Sequence, residues 1–170
     1  GQAMAYVEIE NIRRMMDRGE DPHAAMIERG HALGLHVFAS LRMNDNHFDG
    51  VQPNELASSM TTGLTKMRIE HPQWMLGDKA PFEWFASSWN LAFPKVREQR
   101  FAHLKEVCQR WPWDGIELDW QRHAFHLPES DAYRLRYTLT DLQRAVRQVA
   151  DQIARARERP FYVAVLVGAS

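Results

Sequence analysis

Hydrophobic and polar positions follow two periods along this chain, and the switches between them mark its elements. Val7, Ile12, Met15 and Met16 recur at helical spacing up to Gly19, a C-terminal cap. Asp21-Pro22 then supplies an N-cap and a first-turn proline for a second helix ending near Gly34. From Leu35 to Met43 the period falls to two: Leu35, Val37, Ala39, Leu41 and Met43 alternate with His36, Phe38, Ser40 and Arg42, until Asn44-Asp45-Asn46 stops the strand. The stretch up to Pro94 has no regular period and holds Trp74, Phe82, Trp84, Phe85 and Trp89. Connections of that length are uncommon and often functional. Pro94 opens a helix with a Phe101, Leu104, Val107 and Cys108 stripe, and an apolar strand follows at 115–120. Thr138, with Asp141 three residues on, predicts the cap of a helix carrying Leu139, Leu142, Val146, Val149 and Ile153. Phe161 to Val167 is a near-continuous β-branched and aromatic run, the pattern of a fully buried parallel strand.

Strands separated by helices predict an α/β domain with parallel strands near 35–43, 115–120 and 161–167. A (β/α)8 barrel takes about 250 residues. The 170 residues of this chain, read as one domain over 1–170, therefore predict a partial (β/α)8 TIM barrel, a fragment of a larger protein. Unpaired strands at its sides would make the isolated chain aggregation-prone, or an oligomer that covers the open barrel edges. A small doubly wound sheet is the alternative, but no glycine-rich phosphate loop follows any strand.

Composition narrows the partners. The 21 basic and 22 acidic residues give a net charge of -1 with no Lys/Arg run, so the electrostatic footprint of a nucleic-acid binder is missing. The longest apolar stretch, Phe161 to Ala169, is far short of the roughly 20 residues of a membrane helix, and no charged-then-apolar leader opens the chain. A soluble protein with no membrane partner is expected. Cys108, the single cysteine, excludes an internal disulfide and lies on an apolar helix face, where a buried, inert thiol is expected.

The chemistry concentrates in Asp114-Gly115-Ile116-Glu117-Leu118-Asp119-Trp120. Residues two apart on a strand share a face and lie roughly 6.5 Å apart, so Glu117 and Asp119 point one way while Ile116, Leu118 and Trp120 point the other. An acidic face at a strand end is where α/β enzymes keep their chemistry. Asp119, at the strand end, is the first candidate. Glu117 is the second, with a structural or positioning role as its competing reading, and Arg42 on the preceding strand is the cation that could keep an acid ionised. Asn44, Asp45 and His47 follow the first strand and are candidates to bind a substrate or to supply a second carboxylate, although Asn and Asp are also what a strand-ending turn prefers. Arg122 and His123, candidates to bind substrate, follow the acidic strand together with His126. Their spacing with Asp45, His47 and Asp119 matches no metal-ligand motif, so neither a metal nor another cofactor is expected. Among the loop aromatics, most are expected in a core, with Trp89 the preferred substrate-binding platform.

Three segments carry a resemblance: Ser40-Leu41-Arg42-Met43-Asn44-Asp45, Phe93-Pro94-Lys95-Val96-Arg97 and Asp114 to Trp120. In this order the chain from about Asp21 onward resembles the bacterial glycosyl-hydrolase-like TIM barrels of the "family 10-like" group. The resemblance implies a glycoside hydrolase of a poly- or oligosaccharide, with the three strands matching the third to fifth of that barrel. A non-catalytic carbohydrate-binding or pseudoenzyme barrel is the alternative. The acidic strand is also similar to the chitinase signature, but Gln121 stands where that signature has its acid. Asp119-Trp120 is similar to the nucleophile position of alpha-galactosidase-like barrels.

Overall fold

The computed structural model describes residues 2–44, 46–48, 50–59 and 64–168. Helices α1 (Gln2–Asp17) and α2 (Pro22–Ala32) lead into strand β1 (Phe38–Arg42). A long connection containing the short α3 (Lys66–Glu70) runs to α4 (Pro94–Arg110), strand β2 (Gly115–Asp119), α5 (Ala132–Arg157) and strand β3 (Tyr162–Leu166). α2 starts where Asp21 Oδ1 accepts the His23 and Ala24 N–H groups at 2.9 and 3.1 Å, with Pro22 supplying the fixed φ of the first turn.

The three strands form one parallel sheet in the order β1-β2-β3. Its register places Ala39, Ile116 and Val163 side by side, then Leu41, Leu118 and Val165, all on one face. Ile116 and Leu118 are completely buried there, in a core shared with Val96, Leu104 and Cys108 of α4 and Leu142, Val146 and Val149 of α5. Burial pushes the Cys108 thiol up to about 11, against the smaller opposing pull of Arg157. The opposite face carries Phe38, Ser40 and Arg42, then Gly115, Glu117 and Asp119, then Tyr162, Ala164 and Leu166. Ser40, Arg42, Tyr162 and Leu166 on this face are exposed. Over Gly115 the Phe38 and Tyr162 rings of the two outer strands stack, with centroids 5.9 Å apart and planes at 12°.

The partial (β/α)8 TIM barrel expected from the sequence is not what forms. The architecture is mixed α/β with a three-stranded parallel sheet, and among the described residues no further strand pairs with β1 or β3. Closing a barrel of this kind requires about eight tilted strands that hydrogen-bond back onto the first. Three strands of five residues leave an open sheet.

Two element expectations also change. Thr138 does not cap α5, which already runs from Ala132; its hydroxyl instead returns to the Leu135 carbonyl at 2.8 Å, the local bond that Thr makes inside a helix. β3 is not fully buried: Tyr162 is 45% and Val165 45% exposed, because this strand has β2 on one side only. No described helix is long and apolar enough to cross a membrane.

Candidate functional site

β1 and β2 present their polar residues in register, Ser40 beside Glu117 and Arg42 beside Asp119. The Ser40 hydroxyl donates to Glu117 Oε1 at 2.7 Å. Asp119 stands at the C-terminal end of β2, where the strand breaks into a turn. Its Oδ1 accepts the backbone N–H groups of Gln121 and Arg122 at 2.9 and 3.0 Å, so the carboxylate shapes the turn that follows it. Among the described residues, neither Glu117 nor Asp119 is in an ion pair, and Oε2 of the first and Oδ2 of the second make no hydrogen bond. Both side chains are half-buried. A carboxylate that keeps one oxygen unused at a strand end can accept a hydroxyl or activate water, which a doubly clasped one cannot.

Beyond this pair the loops close on one another. His123, with φ of 54°, takes the Asn46 N–H on its Nδ1 at 3.2 Å, joining the turn after β2 to the turn after β1. A ring nitrogen that accepts is unprotonated. The exposed His47 meets the His123 ring edge-on at 6.3 Å, and Arg122 is exposed beside it in the chain. Arg42, Asp119, His47, Arg122 and His123 thus belong to one rim at the C-terminal end of β1 and β2, with Glu117 two residues deeper on the same sheet face.

Asn44 and Trp89 do not join that rim. Asn44 is fully buried; its Nδ2 donates to the carbonyls of Trp89 and Phe125 at 2.8 and 2.9 Å, and its Oδ1 accepts the Trp89 N–H at 2.8 Å. Both amide hydrogens and one acceptor site are spent on fixing the two loops, and full burial keeps the side chain from a sugar hydroxyl. Trp89 is 4% exposed, with the Arg68 guanidinium 4.5 Å from its ring centre. A ring covered in that way cannot stack on a sugar. Arg68 itself is buried, donates to the Ser87 carbonyl and also lies 5.4 Å from the Phe48 ring. These contacts turn the long connection into an extension of the core, with Leu56, Met75 and Leu91 buried in it. Asp45 lies outside the described residues.

His126 sits apart from the rim. It is buried, Nε2 faces the Trp120 carbonyl at 3.0 Å, and burial pushes its pKa down against the opposing effects of that carbonyl and of Asp119. Because a carbonyl only accepts, Nε2 carries the proton. Among the described residues no three His, Cys, Asp or Glu side chains gather as metal ligands would.

Ser40 was not singled out by its residue type, although its place in the period-two alternation with Arg42 puts it on the carboxylate face. Asp114 was another omission. At the opposite end of β2 its Oδ2 accepts the Val37 N–H and His31 Nε2, both at 2.8 Å, while Oδ1 accepts Arg159 Nη1 at 2.5 Å. Burial works to raise its pKa, but these three donors outweigh it and hold the carboxyl at about 2.

No protein-family model matches the chain, and no curated protein matches it. The resemblance to glycosyl-hydrolase-like proteins therefore rests on the three motifs alone.

Proposed function

We propose that this chain is a carbohydrate-active domain that hydrolyses glycosidic bonds of a poly- or oligosaccharide, with Asp119 and Glu117 as its carboxyl pair. The observation that carries the reading is their placement. They occupy alternate positions of the central strand, on the sheet face that also carries the exposed Ser40 and Arg42, and each has one oxygen that no described residue engages. Alternate strand positions lie about 6.6 Å apart along the backbone, and carboxyl pairs cleave glycosides at separations of roughly 5 to 5.5 Å with retention or 6.5 to 9.5 Å with inversion. Arg42, His47, Arg122 and His123 line the same rim and supply hydrogen bonds to sugar hydroxyls. Self-association that pairs the open edges of β1 and β3 belongs to the same reading, since no described strand pairs with either edge.

The test is a screen of 4-nitrophenyl glycosides and oligosaccharides followed by Asp119→Asn on whichever is cleaved. Asn keeps an acceptor for the Gln121 and Arg122 amides, so the fold should survive, but it cannot act as nucleophile or base. Turnover should fall by roughly a thousandfold or more with little change in substrate binding. Near-normal turnover in both Asp119→Asn and Glu117→Gln would refute the assignment.

A second reading, a non-catalytic carbohydrate-binding module, is favoured by one specific observation. Asp119 Oδ1 is already engaged by two backbone amides, which is a complete structural reason for an Asp at this position. On that reading the protein binds glycans, hydrolyses none, and loses stability rather than turnover when Asp119 is changed to Ala.

A further inference from the structure

We infer that Ser40 is the positioning residue of this carboxyl pair: its hydroxyl holds Glu117 beside Asp119 in the orientation that the reaction needs. The inference rests on the hydrolytic reading above and adds a residue to it. Glu117 and Asp119 share a strand face, and among the described residues each is anchored through one oxygen only. The anchors differ in kind. Asp119 Oδ1 is held by two backbone amides of its own turn, at 2.9 and 3.0 Å. Glu117 Oε1 is held by a side chain of the neighbouring strand, the Ser40 hydroxyl, at 2.7 Å.

Among the described residues, no other polar group keeps Glu117 in place. Its register neighbours are Ser40 on β1 and Ala164 on β3, and Ala164 offers only a methyl group. No described cation forms an ion pair with it. Asp119, two positions along the same strand, carries a like charge when both acids are ionised, and like charges at that separation repel. A glutamate side chain has three rotatable bonds, so without an anchor this half-buried one would sample several rotamers and favour those turned away from Asp119. The Ser40 hydroxyl opposes that drift through Oε1 and leaves Oε2 unengaged by any described residue.

Ser40 has little else to do at this position. Its side chain is exposed, and its hydroxyl makes this one described hydrogen bond, so neither core packing nor a turn accounts for it. β1 and β2 are already joined by their backbone ladder from Phe38 to Arg42. A bond that only tied the strands together would repeat what the ladder does. Holding one oxygen of a carboxyl whose other oxygen must meet a substrate is a different task, since a reacting group displaced by about an ångström loses much of its effect.

Ser40→Ala, Ser40→Thr and Glu117→Gln test this in the whole chain, with the urea midpoint as the fold control. On the 4-nitrophenyl glycoside that the wild type cleaves, Ser40→Ala should lower kcat about tenfold to a hundredfold at nearly unchanged KM, the loss of one charge-assisted hydrogen bond to a reacting group. Ser40→Thr keeps the hydroxyl and should restore most of that kcat. The carbon NMR resonance of the Glu117 carboxyl, identified by its disappearance in Glu117→Gln, should shift in Ser40→Ala and return in Ser40→Thr. A wild-type kcat in Ser40→Ala, in a protein whose hydrolysis still depends on Glu117, overturns the positioning role and leaves the hydrolytic reading standing. An unmoved carboxyl resonance overturns the anchor itself. A protein that cleaves no glycoside removes the hydrolytic reading, and a carboxyl resonance still moved by Ser40→Ala would then reduce Ser40 to a contact between strands.

Discussion

Replacing Asp114 with Asn should destabilise the protein by about 2 to 4 kcal/mol at neutral pH. The carboxylate is 5% exposed and is reached by three donors from three places in the chain: the Val37 amide ahead of β1, His31 of α2 and Arg159 beyond α5. Asn offers one acceptor and an NH2 group, which turns at least one of those contacts into a donor facing a donor. The ionised carboxyl's own share follows from its proton affinity. A pKa held at about 2, against the ordinary 3.8, corresponds to about 2.5 kcal/mol at about 1.4 kcal/mol per factor of ten. The sign is that of a depressed acid: this stabilisation is fully present above pH 4 and is lost as the pH falls through about 2. Urea unfolding of both proteins between pH 7 and pH 2, followed by tryptophan fluorescence, isolates the effect, because groups common to the two cancel in the difference. That difference should be large and constant down to about pH 4 and then shrink. A difference under about 0.5 kcal/mol at pH 7, or one independent of pH down to pH 2, would show that the clasp contributes nothing to folding.

Gly115→Ala should cost about 1 to 3 kcal/mol, read as a lower urea midpoint at unchanged slope. An added Cβ would sit 2.6 Å from the Tyr162 carbonyl and 3.0 Å from the Phe38 ring, and an unchanged midpoint would mean that the outer strands give way freely. Because β1 and β3 each keep one edge unpaired among the described residues, sedimentation velocity should show association that a lysine at Val165 weakens; a concentration-independent monomer would end the edge-pairing part of the proposal.

What the sequence made legible was whatever depends on local period. The alternation from Val37 to Met43 gave the two faces of β1, and the alternation in Gly115 to Trp120 placed both carboxylates together, because side-chain direction on a strand follows from backbone geometry alone. Asp21-Pro22 marked the start of α2 for an equally local reason. The misread features depend on distant neighbours. β3 has the composition of a central strand, but its exposure is decided by whether a fourth strand lies beyond it. Trp89 looks like any loop tryptophan until Arg68, 21 positions earlier in the sequence, covers its face. Asn44 has the residue type of a turn former or a ligand, whereas its amide clasps the backbone of Trp89 and Phe125 across 45 and 81 residues. The barrel failed for the same reason: closure belongs to a whole set of strands, and the pattern of three cannot specify it.

Asp114 and Asp119 show how one strand can separate structure from chemistry. Asp114 immediately precedes the five-residue strand that Asp119 ends, and residue type does not distinguish them. Their surroundings do. Asp114 is met by an amide, an imidazole and a guanidinium until both oxygens are occupied, so its charge is spent on joining α2, β1 and the segment after α5. Asp119 is held through one oxygen by two amides of its own turn, which fixes its direction and leaves Oδ2 unengaged by any described residue. An acid placed for catalysis needs this combination, because orientation requires anchoring while reaction requires an oxygen that is not anchored. The two Asn variants should accordingly part company: Asp114→Asn lowers stability and leaves the per-molecule turnover of the folded protein intact, and Asp119→Asn lowers turnover and leaves the unfolding midpoint near that of the wild type. If both variants instead lose stability alike and neither affects hydrolysis, the two acids do the same structural job, and the face carrying Glu117 and Asp119 is not a reaction site.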